Sequence, residues 1–481
     1  MDKRNLTLLT DLYQLTMMNG YLKEDMQDQV VIFDVFFRQN ELITYSLSAG
    51  LEQAIDYVLN LNFTKEDIDY LRGLNLFNET FLTKLATLKF TGDIYAVKEG
   101  TMVFPGEPIL TVKAPIFQAQ LIETAILNII NHQTLIASKA AKICYVANGD
   151  NVMEFGLRRA QGPDAGIYGS RASIIGGCNS TSNVLAGKAF DIPVAGTHAH
   201  SWVMSFDTEL DAFMAYANTY PNATLLLVDT YDTLKSGIPN AIKVFDYLKK
   251  QGKKPLGIRI DSGDLAYLTK KARKMLDDAG YPDTVICASG DLDEKLVQSL
   301  KLQGAKINSW GIGTKLITSA DMPALGGVYK MAGVVKEDGT IIPKIKVSET
   351  SAKITNPGFK KVVRIYDNET KKAEADLIML FDEVIDTSKP LTITHPIETW
   401  KKITFTNYTV KELTYKIVDR GALCVKMPSL KEISTYAKQE MESFWDEYLR
   451  IDKPHIYKVD LSDKLLALKT GMLEEIRKGN K

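Results

Sequence analysis

Cysteine is scarce in this chain. Its 481 residues hold four, Cys144, Cys178, Cys287 and Cys424, far apart and with no C-x-x-C pair. That spacing excludes a disulfide framework and fits a reducing, cytoplasmic setting. Histidine is nearly as rare, with five residues, of which only His198 and His200 lie close together. No apolar run reaches about 18 residues, so no membrane-spanning helix is expected. Asp11 interrupts the first apolar stretch, so "MDKRNLTLLTDLYQL" does not have the form of a signal peptide. Neither sign of charge is in excess: 58 Lys and Arg stand against 59 Asp and Glu, which gives no footing for nucleic acid as a main partner. The chain also lacks a dinucleotide G-x-G-x-x-G, an internal repeat beyond its βα rhythm and any low-complexity segment.

What is present is ordinary globular material, 45% hydrophobic and 24% charged, in a length that suits two or three domains. Leu8, Leu12, Leu15 and Met18 recur at helical spacing and predict a helix over residues 5–22, with Thr7 or Thr10 as its cap. Residues 88–114 are short β-rich runs broken by Lys-Glu-Gly and Pro-Gly-Glu-Pro turns, and a long apolar helix follows from about residue 121. From about residue 150 strand, loop and helix repeat. "NVMEFGLR", "IPVAGT", "ATLLLVDT", "PLGIRIDS", "TVICASG" and "KINSWGIG" are apolar strand candidates separated by helical stretches. Six such units predict a parallel sheet, and an irregular, TIM-like α/β barrel rather than a doubly wound sheet. After residue 326 a hairpin turns at Asp338-Gly339. The expected organisation is therefore an N-terminal mixed α+β domain (1–135, a helix plus an open sandwich of strands), an α/β barrel domain (136–350) and a C-terminal α+β appendage (351–481).

In such a fold, functional groups collect where strands end and βα loops begin. The six candidates end in Arg158-Arg159; Thr197, His198 and His200; Asp229; Arg259, Asp261, Ser262 and Gly263; Ser289-Gly290-Asp291; and Gly311, Gly313 and Thr314. Glycines after strands leave backbone N–H groups open to phosphate oxygens. Arg259 and Asp261, two apart on a strand, share a face. A carboxylate at Asp261 suits vicinal ribose hydroxyls or a hydrated Mg²⁺. Arg158 and Arg159 suit a carboxylate or phosphate, but adjacent strand residues face opposite ways, so one at most meets a substrate. Two histidines at i and i+2, with no third ligand at useful spacing, argue against zinc. His198 suits a satisfied bystander. His200, beside Ser201 at the start of the next helix, suits a nucleophile or phosphate partner, with Asp229 placed to orient it.

Seven stretches, "LLTDLYQLTMMNGY", "EFGLRRAQGPDAG", "GTHAHSW", "LLVDTYDT", "RIDSGDL", "GIGT" and "LGGVYK", occur in this order, and together the chain resembles nicotinate phosphoribosyltransferases of the bacterial type. The resemblance implies transfer of a phosphoribosyl group from 5-phosphoribosyl 1-diphosphate to nicotinate, coupled to ATP hydrolysis through a phosphohistidine at His200, with Mg²⁺ as cofactor. It implies a homodimer in which Tyr13 completes the partner's site. It assigns nicotinate contacts to Thr197 and Arg259, extended here to Arg158 and Ser201, and the 5-phosphate loop to Gly311, Gly313 and Thr314. Asp229 and Asp261 are the acidic members, and Ser262, Gly263 and Gly290 line the same rim. Rival readings are a phosphoribosyltransferase for nicotinamide or quinolinate, and a non-catalytic phosphoribosyl-binding barrel.

Overall fold

The structure is a computed structural model and describes residues 4–38, 44–350, 353–395, 398 and 400–479. The chain forms two compact units, residues 136–323 and the combination of residues 1–135 with 324–481.

In the composite unit, seven strands form one antiparallel sheet in the order Ile341–Pro343, Gly327–Val335, Val30–Phe37, Leu110–Pro115, Asp93–Ala96, Tyr415–Asp419 and Ala422–Leu423. Val30–Phe37, paired on both edges, is buried along nearly its whole length and almost wholly apolar, and only Asp34 interrupts it. That carboxylate accepts from Thr111 Oγ1 at 2.6 Å and lies 2.7 Å from Lys360 Nζ, so its burial is matched by a charge and a hydroxyl. A second sheet contains Lys360–Asp367 and Ala373–Leu380. Arg364, fully buried between them, forks onto Asp376 at 2.8 and 2.6 Å, reaches Glu440 at 2.8 Å and donates to Met102 O at 2.6 Å. Tyr415–Asp419 is thus tied to Asp93–Ala96 by a ladder, and Lys360–Asp367 to Met102 by a satisfied guanidinium.

This arrangement changes the expected organisation. The hairpin at Asp338-Gly339 forms, with Val335 opposite Ile341, but its first strand pairs with Val30–Phe37 and so belongs with the N-terminal sheet rather than with residues 136–323. The opening helix starts later than its leucines suggest, at Leu12, after Asp11. Thr7 and Thr10 do not cap it: Thr7 Oγ1 accepts from Asn62 N, and Thr10 Oγ1 donates to Leu121 O. Leu15 and Met18 are buried, while Leu12 is exposed. The long apolar helix is Glu123–Ala147.

Residues 136–323 hold the predicted parallel sheet. Its order is Ser180–Thr181, Asn151–Glu154, Ser309–Ile312, Val285–Ser289, Gly257–Ile260, Leu225–Leu227, and every pairing is parallel. Helices such as Ile238–Lys250 and Leu265–Asp278 lay one apolar stripe on it. Ala241, Val244, Phe245, Leu248, Ala272 and Leu276 join Ile258, Ile260 and Ile286 in one core cluster. Two strand expectations change. "IPVAGT" contributes a single bridge, Thr181 to Val194, instead of a strand. The stretch after "NVMEFGLR" contains a helix, Pro163–Ile175, and a further short strand, Ser180–Thr181, that was not among the six candidates. The ladder is therefore open, with Val194 beyond one edge strand and Leu225–Leu227 at the other edge.

Candidate active site at the carboxyl ends of the parallel strands

Three side-chain hydrogen bonds reach from the segment after Val194 to Leu225–Leu227, the residues after it and the neighbouring strand Gly257–Ile260. Leu227 N donates to His198 Nε2 at 3.2 Å, His200 Nδ1 lies 3.0 Å from Thr230 Oγ1, and Arg259 Nη1 donates to Thr197 Oγ1 at 2.6 Å. The Thr197 hydroxyl in turn donates to its neighbour's carbonyl, His198 O, at 3.2 Å, which fixes its remaining lone pairs toward the arginine. Because His198 Nε2 accepts, its proton sits on Nδ1, 3.4 Å from Ala199 O. Burial, with smaller contributions from Arg259 and His200, lowers this imidazole to about 4, so it is neutral at ordinary pH. His198 is thus a buried, hydrogen-bonded histidine, as the satisfied reading expected.

Arg259 comes from the centre of Gly257–Ile260 and is half-buried beside Asp261. Its Nη2 is 3.5 Å from Asp261 Oδ1, and its Nε is buried without a hydrogen-bond partner among the described residues. Asp261 is held from three sides. Its backbone N–H donates to Asp229 Oδ2 at 2.9 Å, and its Oδ1 accepts from Ser289 Oγ as well as facing Arg259. Asp229 Oδ2 also accepts from Ser262 Oγ at 2.6 Å, while Asp229 Oδ1 is buried and has no partner among the described residues. Asp229 therefore grips the 261–262 turn. It does not orient His200, whose partner is the hydroxyl of the following residue, Thr230.

The glycines have packing reasons of their own. Gly290, at φ +95°, passes so close to Asp261 O that a Cβ would stand 2.4 Å from it. A Cβ on Gly311 would meet the Phe155 ring at 2.6 Å, so this strand end stays open only with glycine. Gly313 precedes Thr314, which opens the short helix Thr314–Ile317. Gly263 and Ser262 are exposed on the same rim, as is Ser201 in the helix His200–Met204. Arg158 and Arg159 lie in a 3₁₀ turn, Leu157–Arg159, and both are exposed, so the opposite-facing strand geometry expected for them does not apply. Tyr13, in the composite unit, is half-exposed, and burial, then Glu123 and Asp11, raises its phenol.

Two residues, Glu154 and Thr230, were not predicted, whereas Ser289 stood among the expected strand-end groups. Glu154 is fully buried and accepts from Thr181 Oγ1 at 2.6 Å, Ser170 Oγ at 3.0 Å and Gly156 N, so it pins the turn that carries Arg158. Ser289 and Thr230 fix Asp261 and His200. Glu154 and Thr230 stand inside the motifs "EFGLRR" and "LLVDTYDT", and a carboxylate ending an apolar strand is the one signal that pointed to Glu154. Cys287, beside Arg259 in the ladder, is pushed up by burial to about 11 and stays a thiol. Among the described residues no group of three or more His, Cys, Asp or Glu is arranged to hold a metal, and no helix is long and apolar enough to cross a membrane.

Fold and site together define an α/β enzyme whose cationic, acidic and glycine groups converge at the carboxyl ends of parallel strands. Residues 8–131 match the family model for the nicotinate phosphoribosyltransferase (NAPRTase) N-terminal domain, residues 151–404 the NAPRTase family model, and residues 359–469 the C-terminal domain model. A nicotinate phosphoribosyltransferase of Bacillus subtilis is 47% identical over 476 residues, covering 98% of this chain and 96% of that one. One from Dictyostelium discoideum is 36% identical over 516 residues, covering 95% of this chain and 86% of that one. The crystal structure of human nicotinic acid phosphoribosyltransferase has a TM-score of 0.84 at 29% identity, over 96% of this chain and 99% of that one. The chain belongs to the nicotinate phosphoribosyltransferase family.

Proposed function

We propose that this enzyme joins nicotinate to the phosphoribosyl group of 5-phosphoribosyl 1-diphosphate, yielding nicotinate mononucleotide and diphosphate for NAD salvage. The observation that carries this reading is the cluster of Arg259, Thr197 and Asp261, with Arg259 Nε buried and unpartnered among the described residues. A guanidinium at a strand's carboxyl end, held by Thr197 and beside Asp261, suits a planar carboxylate, and nicotinate carries one. The pyridine nitrogen attacks ribose C1 as the C1–O bond to diphosphate breaks. That nitrogen bears no proton, so no general base is required, and catalysis rests on positioning and on charge. Asp261 accepts from the ribose hydroxyls, and the 311–314 loop receives the 5-phosphate. Magnesium would be held by substrate oxygens with Asp261, and by Asp229 through its unpartnered Oδ1, and would supply charge neutralisation for the leaving diphosphate.

ATP hydrolysis is coupled through His200, which takes the γ-phosphoryl group on a ring nitrogen as ADP leaves and later passes it to water. Its place at the first position of a helix, beside exposed Ser201, supports that role. The three side-chain bonds from residues 197–200 to the far side of the sheet support an irregular barrel closed without a complete ladder. Half-exposed Tyr13 suits a homodimer in which it completes the partner's site. The four free cysteines suit a reducing, cytoplasmic setting.

Product formation with nicotinate, nicotinamide and quinolinate, each with and without ATP, tests the reading. Nicotinate is the preferred base and ATP stimulates its use; preference for another base, or no product from any, overturns it. His200→Ala abolishes phosphate transfer from ATP to the protein and leaves slow basal synthesis, whereas retention of protein-bound label overturns the assignment.

A further inference from the structure

The geometry points to His198 as a positioning residue: its ring nitrogen clasps the two open edges of the parallel sheet and so sets where Thr197 and His200 stand. Leu227 is fully buried, and its N–H faces the edge that has no ladder partner. A buried backbone N–H needs an acceptor, and His198 Nε2 is that acceptor at 3.2 Å. The ring is held in place by Tyr216, 4.8 Å between centroids, and Phe213, 6.0 Å, both on the helix Glu209–Thr219. It is 7% exposed, and burial keeps it unprotonated, which an acceptor requires. On either side of it stand the two residues that meet substrate groups. Thr197 is bonded to Arg259, and His200 to Thr230. A ring that merely filled space would leave the Leu227 N–H unpaired, and a phenylalanine would serve as well.

That difference gives the test. Amide exchange over residues 225–228 is followed by mass spectrometry in the full-length protein, together with phosphate transfer from labelled ATP to His200. His198→Phe is expected to speed exchange in that segment roughly tenfold and to slow phosphate transfer by a similar factor. His198→Gln, which places an amide oxygen near the same reach, recovers both to within about threefold. Val244→Ala, a cavity in the same core cluster, lowers the melting temperature but leaves both readouts near wild type. Exchange over 225–228 that is unchanged in His198→Phe, or raised equally in Val244→Ala, overturns the proposal. If His198→Phe fails to fold, loss of 225–228 protection in folded His198→Gln overturns it and retained protection supports it. Only the phosphate readout rests on the role proposed for His200. A wild-type protein that takes no label defeats that role, while the exchange result still decides this one.

Discussion

Arg259 Nη1 donates to Thr197 Oγ1 at 2.6 Å, although no ladder connects the segments that carry them. The bond aims the guanidinium while Nε remains without a partner among the described residues. Arg259→Lys keeps the charge and loses the fork. Its KM for nicotinate is expected to rise roughly 10- to 100-fold, the size of a lost charge-assisted hydrogen bond, with a smaller change in KM for the phosphoribosyl donor. Steady-state kinetics with each substrate varied in turn checks this, and an unchanged nicotinate KM removes Arg259 from the base-binding role.

Ser289 acts through Asp261. Ser289→Ala leaves the carboxylate charged but releases one of its holds, so kcat should fall by about tenfold at most. Asp261→Asn should cost more, because it also removes the charge. If the double variant is no worse than Asp261→Asn alone, the two residues work as one unit; simple additivity would show that they act separately.

Glu154 is buried and accepts from hydroxyl and amide donors. Glu154→Ala opens a cavity and strands those donors, a loss of about 2–4 kcal/mol measurable by urea unfolding. The turn holding Arg158 should loosen with it. An equal stability for Glu154→Ala and wild type would mean that the turn is held by other contacts.

His198 has a pH signature. Its folded value, about 4, lies below the ordinary 6.5. Between those values the unfolded chain binds the proton more readily, so the neutral ring stabilises the fold fully above about pH 6.5 and that contribution is lost as pH falls toward 4. The size is of order 3 kcal/mol at most. His198→Gln, which has no such proton to take up, should show a shallower fall in unfolding free energy across that window than wild type. Parallel curves would mean that the ring titrates normally.

The βα rhythm of residues 150–323 and the rim where its polar residues gather were legible because both are local: an apolar strand, a loop, an amphipathic helix. The hairpin at Asp338-Gly339 was legible for the same reason. The partners were not. Nothing near Asp229 in sequence says that its carboxylate will hold the 261–262 turn, or that Thr230 will hold His200. Position told the two histidines apart, but the contacts that bury and hold them, from residues 213, 216, 227 and 230, lie far off in sequence. The start of the first helix was misplaced because Thr7 and Thr10 find tertiary partners in Asn62 and Leu121.

Phe37 lies opposite Gly327, and Ile94 lies opposite Val418. On the ribosome, the strand Val30–Phe37 emerges long before any of its sheet's four late-arriving strands exists. Residues 136–323, whose pairings are all among themselves, are free to fold first, while the earliest strands wait with an apolar edge uncovered. Truncation within the last third of the chain should therefore damage the N-terminal sheet before it damages the catalytic rim, and nascent chains stalled there are the ones that chaperones should hold.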